Sequence, residues 1–244
     1  MEPRIQYAKT EDGVSIANRE MNGERVLRAD LHTHTHCARG SITSPRSFVE
    51  TCRRKGINCV AVTDHNSIRG ALAVRELADF RVIVGEEIET AAGQVLALFL
   101  EEEVRPGLSP QETIGRVTAQ GGLIGVPHPY DELGLALRHD EIVRFLPQIG
   151  FMEVFNARVL FPRVNEKARR LARELDLAAS AGSDAHSPWE LGRAYVEMPE
   201  FDGPEDFLEA LRKGEIVGRR SSPLVHLISL YAELRYRLGW RPAD

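Results

Sequence analysis

Two histidines, one residue apart at the end of an apolar run, constrain this chain more than any other feature. The run is Val26-Leu-Arg-Ala-Asp-Leu-His-Thr-His34. Residues i and i+2 of an extended strand lie on the same face, so His32 and His34 can bind one metal ion. An isolated pair of this kind is equally typical of polar residues that leave a strand, so the rest of the chain must decide between the two interpretations.

Four more strand-like runs end at residues that commonly bind metals. Each run is short and mostly apolar with little alternation, which is typical of a parallel strand buried on both faces. The carboxyl ends of parallel strands meet at one edge of a barrel, so we expect the terminal side chains to lie close together. These residues are Asp64 and His65, Glu86 and Glu87, His128, and Asp184 and His186.

The apolar runs alternate with helical patterns. The segment from Ser44 to Gly56 has the pattern of a helix: an N-cap residue, a proline at the first helical position, an amphipathic body and a glycine that ends it. Residues 109–121 and 203–214 repeat this pattern. A repeated β-α order predicts parallel strands closed, or nearly closed, into a barrel. The alternative is an open doubly wound sheet, but its first strand normally leads into a glycine-rich phosphate loop, and here that loop is rich in histidine. Further helices are predicted near 67–79, 139–147, 163–176 and 223–238, and strands near 27–32, 58–63, 81–86, 123–127, 151–155, 178–182 and 194–198.

Composition agrees with one α/β domain. The chain has 244 residues, of which 43% are hydrophobic and 27% charged, enough for one sizeable core. We expect a single barrel domain over residues 26–244 and an N-terminal arm or hairpin over residues 1–25, with turns at Asp12-Gly13 and Asn22-Gly23. The sequence has no signal-peptide pattern and no apolar stretch near the ~20 residues that span a bilayer, which predicts a cytoplasmic protein without a membrane partner.

The cysteines and the net charge argue against a disulfide-bonded protein and against a protein that binds long nucleic acids. Cys37, Cys52 and Cys59 are odd in number and lack C-x-x-C spacing, so we expect reduced thiols. Cys52 and Cys59 are expected to pack as small hydrophobic residues, and a metal-ligand role for Cys37 is disfavoured. A formal charge of -5 argues against extended contacts with a nucleic-acid backbone, although a short oligonucleotide remains compatible.

The ligand runs together resemble a known family. The segments Asp30-Leu-His-Thr-His-Thr35, Val62-Thr-Asp-His-Asn66, Gly85-Glu-Glu87, Pro127-His-Pro129 and Gly182-Ser-Asp-Ala-His186 resemble, in order, the motifs of the PHP (polymerase and histidinol phosphatase) superfamily. The resemblance spans about residues 26–220. It implies a distorted seven-stranded β/α TIM-like barrel that uses two or three divalent metals for phosphoester hydrolysis.

The same resemblance implies roles for individual residues. One metal would be bound by His32, His34, Glu87 and Asp184, a second by His128, and a third by His65 and His186. Glu87 matches the family's bridging carboxylate, so Glu86 is expected to point away or to support a ligand. Independently of the family, mixed imidazole and carboxylate ligands suit Zn, Mn or Fe better than Ca or Mg.

The chain departs from the family pattern at two places. Many members have Asp or His near the position of Arg39 or Gly40, and many have His where Gln94 stands. Two metals are therefore better supported than three. His36 could fill one gap or be a solvated loop histidine, and the Gln94 side chain could offer its oxygen or hold a water.

Other polar residues have two interpretations each. Asp30 and Asp64 adjoin histidine-bearing segments and could orient imidazoles, or they could stabilise turns at the strand ends. Arg158 follows a strand that carries Glu153, and it could clamp a phosphate or be a solvated arginine. His139 and His226 are predicted to be structural. The basic residues Arg219, Arg220, Arg235, Arg237 and Arg241 form either solvated surface or a contact for an anionic partner.

Three functions fit these residues. The first is metal-dependent hydrolysis of a phosphomonoester or a small nucleotide or oligonucleotide phosphoester by a metal-activated water, with Glu87 and Asp184 as catalytic carboxylates. The second is an amidohydrolase-type metal hydrolase, which also starts with H-x-H and ends with Asp but usually bridges its metals with a lysine, where this chain has Glu87. The third is a non-catalytic PHP-like binding module, which retention of seven ligands disfavours.

Overall fold

The computed structural model describes residues 20–21, 24–37, 39–131 and 136–239. All seven predicted helices form, and a short 3-10 turn follows the fourth at Leu146–Gln148. The helices are α1 (Pro45–Lys55), α2 (Arg69–Leu77), α3 (Pro110–Ala119), α4 (His139–Arg144), α5 (Pro162–Glu174), α6 (Pro204–Lys213) and α7 (Val225–Arg237).

Within the described residues, ten strands form one sheet that curves into a nearly closed barrel. The strand order is β10-β9-β2-β3-β4-β5-β6-β7-β8, and β1 pairs with β2. The predicted α/β barrel is therefore confirmed. The strands are β1 (Glu20–Met21), β2 (Glu24–Thr33), β3 (Cys59–Val62), β4 (Arg81–Thr90), β5 (Gly93–Leu98), β6 (Leu123–Val126), β7 (Ile149–Asn156), β8 (Ala178–Gly182), β9 (Ala194–Pro199) and β10 (Glu215–Gly218).

The helix ends follow the predicted sequence signals. The Ser44 side chain caps α1 by accepting from the backbone of Ser47, and Gly56 ends this helix in a left-handed conformation. Ser109 and Glu112 form a reciprocal capping box at the start of α3.

The expectation of an all-parallel barrel is wrong at two strands. β2, β3 and β4 are parallel to one another, as are β6, β7 and β8, but β5 is antiparallel to both of its neighbours. Only Ala91 and Ala92 join β4 to β5, and a two-residue connection makes a hairpin because a parallel crossover needs a dozen residues or more. β9 is likewise antiparallel to β2, since no helix lies between β8 and β9.

The barrel closes where the chain after β8 meets β2. The backbone of Asp184 donates to the carbonyl of His32 at 2.7 Å, and His34 donates to the carbonyl of Ala185 at 3.0 Å. Gly182 allows this approach, because a Cβ there would lie 2.7 Å from the backbone nitrogen of His32. The first and last metal-ligand motifs are thus joined by main-chain hydrogen bonds.

The N-terminal prediction is only partly within the described residues. β1 pairs antiparallel with the start of β2, through Met21 with Glu24 and Glu20 with Arg25. The predicted turns at Asp12-Gly13 and Asn22-Gly23 lie outside the described residues, so the arm over residues 1–25 stays a prediction. Within the described ranges no helix is both long and apolar enough to cross a membrane.

Closure at Gly182 is testable by substitution. We expect Gly182→Ala to lower the free energy of unfolding by about 2 kcal/mol, because the added methyl group pushes β8 away from β2. Gly115→Ala is the matched control: it lies in α3 with open space around it, so it should stabilise the protein by about 0.5–1 kcal/mol. Urea denaturation of both variants measures the difference, and equal effects would contradict this account of closure.

Candidate metal centre

The structure brings all seven predicted metal ligands together at one rim. Six come from the carboxyl ends of four strands that run in the same direction, at the end of β2 or just after β2, β3, β6 and β8, and the seventh, Glu87, lies within β4. The apolar runs of β3, β6 and β8 end two or three residues before His65, His128 and Asp184. The seven are His32, His34, His65, Glu87, His128, Asp184 and His186.

Glu87 lies at the centre of the group. Its Oε2 is 2.9 Å from His65 Nδ1, and its Oε1 is 3.0 Å from His128 Nε2. The same Oε2 is 3.6 Å from the Nε2 atoms of both His32 and His34. One carboxylate thus faces four imidazoles, the arrangement expected of a bridging ligand.

Asp184 completes the opposite side of the group. Its Oδ1 is 3.1 Å from His34 Nε2, 3.5 Å from His186 Nδ1 and 3.8 Å from His32 Nε2. Asp184 has φ of 50° and His128 has φ of 23°, so two of the seven residues occupy the left-handed region. Strained non-glycine residues of this kind concentrate at functional sites.

The donor atoms fit divalent ions. Three overlapping groups have ligand atoms within 4.8 Å of one another. His32 Nε2 is buried without a hydrogen-bond partner among the described residues, although carboxylate oxygens lie 3.6 and 3.8 Å away. Such gaps are long for hydrogen bonds, but two ligands each about 2.1 Å from a shared ion lie about 3.4 Å apart. The groups are His32, His34 and Glu87; His32, His128 and Asp184; and His34, His65 and His186.

Opposite charges are concentrated within this cluster. Burial would lower the pKa of His32, but the carboxylates of Glu153 and Asp184 raise it well above its ordinary value. Burial would raise the pKa of Glu87, but the imidazoles of His65 and His32 hold it well below its ordinary value. The carboxylates therefore stay ionised and attract cations.

Two other imidazoles are held in the neutral form that binds metals. Burial and the neighbouring His65 lower the pKa of His34 to about 4. Burial and the nearby Arg158 guanidinium lower the pKa of His186 well below its ordinary value. Neutral imidazole is the ligand form of histidine.

Glu153 supports the ligands. Its Oε1 lies 3.2 Å from His32 Nδ1, and its Oε2 accepts from the backbone of His128 at 2.8 Å. Asn156 Nδ2 lies 3.1 Å from Glu153 Oε2 and 3.2 Å from Asp184 Oδ2. Glu153 therefore fixes the imidazole of one candidate ligand and the loop of another, a role the sequence left open.

Asp30 and Asp64 hold loops and do not orient imidazoles through hydrogen bonds. Asp30 accepts from the backbones of Ser183 and Gly192, and Asp64 accepts from the backbone and hydroxyl of Thr35. The alternative interpretation, turn chemistry at the strand ends, describes both. Asp30 therefore holds the ligand-bearing segment after β8 at the closure of the barrel, and Asp64 holds the segment after β2 beside the end of β3.

The remaining predicted residues lie around the cluster. Glu86 points away from Glu87 and accepts from the backbone of Val104, and burial raises its pKa to about 7. His36 is buried, but none of the metal-ligand groups among the described residues includes it. No disulfide joins the three cysteines within the described part of the chain; Cys37 is half-buried, and Cys52 and Cys59 are buried.

Arg158 is buried behind His186. Its Nη1 donates to Glu190 at 2.7 Å, and its Nη2 donates to Ser229 of α7 at 2.7 Å. Glu190 also accepts from the backbone of His186 and from the hydroxyl of Ser187. Sequence reasoning missed Glu190, although Ser187-Pro-Trp-Glu190 has the spacing of a capping box. The phosphate-clamp role of Arg158 stays a prediction.

The two departures from the family pattern are neighbours in space. Arg39 forms an ion pair with Glu89, and Glu89 is the strand partner of the buried Gln94. A Cβ at Gly40 would lie 3.5 Å from His186 Nε2. An arginine–carboxylate pair thus stands beside the part of the rim where further ligands were expected.

Comparison with known proteins places this geometry in a family. The PHP-associated family model matches residues 162–216. A two-domain protein of Bacteroides vulgatus that contains a predicted PHP-like metal-dependent phosphoesterase superposes with a TM-score of 0.69 and 18% identity, covering 92% of this chain and 75% of that one. The chain belongs to the PHP superfamily.

Two uncharacterized proteins of Methanocaldococcus jannaschii are relatives of this PHP protein. MJ1587 is 40% identical over 144 residues, covering 54% of this chain and 82% of its own length. MJ0417 is 34% identical over 198 residues, covering 76% of this chain and 79% of its own length. Their similarity extends the family without assigning a substrate.

Two solved structures share the fold but differ in activity. The lesion-specific endonuclease of Pyrococcus furiosus has a TM-score of 0.56 and 18% identity, covering 78% of this chain and 57% of that one. An amidohydrolase of Chromobacterium violaceum has a TM-score of 0.57 and 16% identity, covering 76% of this chain and 97% of that one. These likenesses show the fold alone, so the substrate must be argued from the site.

Metal binding by the cluster is testable without an activity assay. We expect Asp184→Asn to lower the bound Mn or Zn measured by elemental analysis, because it removes a charge that faces three imidazoles. His139→Ala is the control, since that exposed histidine lies at the start of α4. Equal metal content in wild type and both variants would place the metal elsewhere.

Because Glu153 contacts ligands and is not expected to bind the metal itself, we expect its substitution to weaken metal binding less than Asp184→Asn does. Glu153→Gln should weaken metal affinity about 10–100-fold, since the amide accepts less strongly from His32 Nδ1 and loosens the backbone of His128. Isothermal titration with Mn measures the change. An unchanged dissociation constant would show that the Glu153 contacts do not position the ligands.

Proposed function

We propose that this PHP protein is a metal-dependent phosphoesterase that hydrolyses a phosphomonoester or a small nucleotide or oligonucleotide phosphoester. The position of Glu87 carries the proposal, because one buried carboxylate contacts His65 and His128 on opposite oxygens and can join two metal positions. The family and the metal-ligand groups support hydrolase chemistry.

Bound divalent metals polarise a phosphoryl oxygen and lower the pKa of a bound water toward 7. The chain contributes the charged side chains that would hold the metals in fixed positions. The side chains of His65 and Asp184 are 18% and 15% exposed, whereas Glu87 is 1% exposed. Substrate would therefore approach past His65 and Asp184, with Glu87 shielded beneath them.

A nearby cavity supports an anionic substrate. It has a volume of about 400 Å³ and is lined by Arg169, Arg219 and Arg220, with Asn165 and Glu166 among its other walls. Arginines suit phosphate because their planar guanidinium groups form paired charged hydrogen bonds. This cluster would favour substrates with a second phosphate, such as a nucleotide or a short oligonucleotide.

Two asparagine side chains connect the wall of the cavity to the metal centre. Asn165 exchanges hydrogen bonds with the backbone of Asn156 at 3.1 Å in both directions, and the Asn156 side chain contacts Asp184. Both the cavity and the centre lie at the rim where β7 ends.

An amidohydrolase reaction is less well supported. That class usually bridges its metals with a lysine, and the three described lysines face elsewhere. Lys55 donates to the carbonyls of Trp189 and Leu191, Lys167 lies over the Tyr130 ring, and Lys213 faces Glu209. Glu87 occupies the centre of the cluster.

The reaction class can be tested with model esters. Metal-loaded protein should hydrolyse p-nitrophenyl phosphate or bis-p-nitrophenyl phosphate, and Glu87→Gln should lower kcat/KM by about 100-fold or more because the bridging charge is lost. His139→Ala should keep full activity. Hydrolysis of lactones or amides with no phosphoesterase activity would contradict the proposal and favour the amidohydrolase reaction.

Arg39 and Gln94 stand where many family members have metal ligands, so we expect the metal positions to differ in affinity. One metal should bind tightly at His32, His34, Glu87 and Asp184, and any further metal should exchange readily. Gln94→His should raise affinity for the weaker metal, because imidazole is a stronger ligand than an amide oxygen for late first-row ions. Metal titrations of both proteins measure this, and identical stoichiometry and affinity would show that position 94 is not at the metal rim.

A further inference from the structure

Helix α7 is apolar on both of its sides. Its inner side packs on the domain, with Val225 and Ala232 buried and Ser229 bound to Arg158. The outer side carries large apolar side chains that are 52–78% exposed. Six of the eleven exposed large hydrophobic residues in the described ranges belong to this stripe: Leu224, Leu227, Leu230, Tyr231, Leu234 and Leu238.

The spacing of the stripe is that of a helix-packing seam. Positions 224, 227, 231, 234 and 238 alternate steps of three and four residues, the pattern with which two helices interlock side chains. A helix of a soluble protein normally buries its apolar face and turns polar residues to the solvent, whereas here the outer face is apolar. The stripe exposes roughly 500 Å² of apolar side-chain surface, which is at the size where patches on soluble proteins become interaction sites.

We propose that the stripe is a homodimer interface in which α7 packs antiparallel against α7 of a second copy. A seam of this size supplies more than half of the ~800 Å² per partner that a stable interface buries, and surrounding surface can supply the rest. Symmetric pairing also closes the assembly, so no apolar stripe is left exposed.

Charge selects the antiparallel arrangement. Arg235 and Arg237 lie near the carboxyl end of α7, and a parallel pair would place four arginines together. An antiparallel pair that crosses near Tyr231 moves each pair of arginines to the opposite end, beside Leu224 and Leu227 of the second copy. It also aligns the helix dipoles favourably.

The oligomeric state tests the interface. Light scattering after size-exclusion chromatography should give a dimer for the wild type at micromolar concentration. Leu227→Glu/Leu234→Glu should be a monomer with unchanged circular dichroism and metal content, because both side chains face away from Arg158. Leu77→Glu, at an exposed leucine on α2, should remain a dimer. A monomeric wild type, or a double variant that stays dimeric, would overturn the proposal.

Disulfide cross-linking tests the orientation. With an axis near Tyr231, Tyr231→Cys should form a cross-linked dimer by itself, as should the double variant Leu224→Cys/Leu238→Cys. Leu224→Cys and Leu238→Cys should not cross-link when each is tested alone, and the wild type controls for the native cysteines. Efficient cross-linking of both single variants would show a parallel pair and overturn the antiparallel assignment.

Discussion

A buried carboxylate surrounded by imidazoles determines how the rest of this molecule must be built. Glu87 is 1% exposed and faces four histidines. Burying a charge is costly unless opposite charge and hydrogen bonds compensate for it. The barrel meets that requirement by bringing its parallel strands to one rim, where five of them supply candidate ligands while their apolar runs stay in the core.

Closure of the barrel and assembly of the centre depend on the same contacts. The backbone hydrogen bonds from Asp184 to His32 and from His34 to Ala185 join β2 to the chain after β8. Asp30 reinforces this seam by accepting from Ser183. A change that weakened this junction between β2 and the chain after β8 would also move His32 and His34 away from Asp184 and His186.

The sequence predicted the helices, most strands and the convergence of the seven ligands, because these follow from local patterns: strand ends, caps and apolar runs. It did not predict β5 or the antiparallel hairpin that joins β5 to β4, since Ala91-Ala92 lacks the glycine or asparagine typical of hairpin turns. β10 was missed because Glu215–Gly218 contains only two strongly apolar residues, Ile216 and Val217. The contacts of Glu153 with His32, and of Arg158 with Glu190 and Ser229, join residues far apart in sequence, so they depend on how the finished fold places side chains.

Anomalous diffraction from crystals grown with Mn or Zn tests the central claim most directly. The account predicts a peak about 2.0–2.3 Å from His32 Nε2 and from carboxylate oxygens of Glu87 and Asp184, with at least one further peak that Glu87 also contacts. Data collected above and below the absorption edge of the metal identify it. A strong peak elsewhere, with no density among these side chains, would contradict the account.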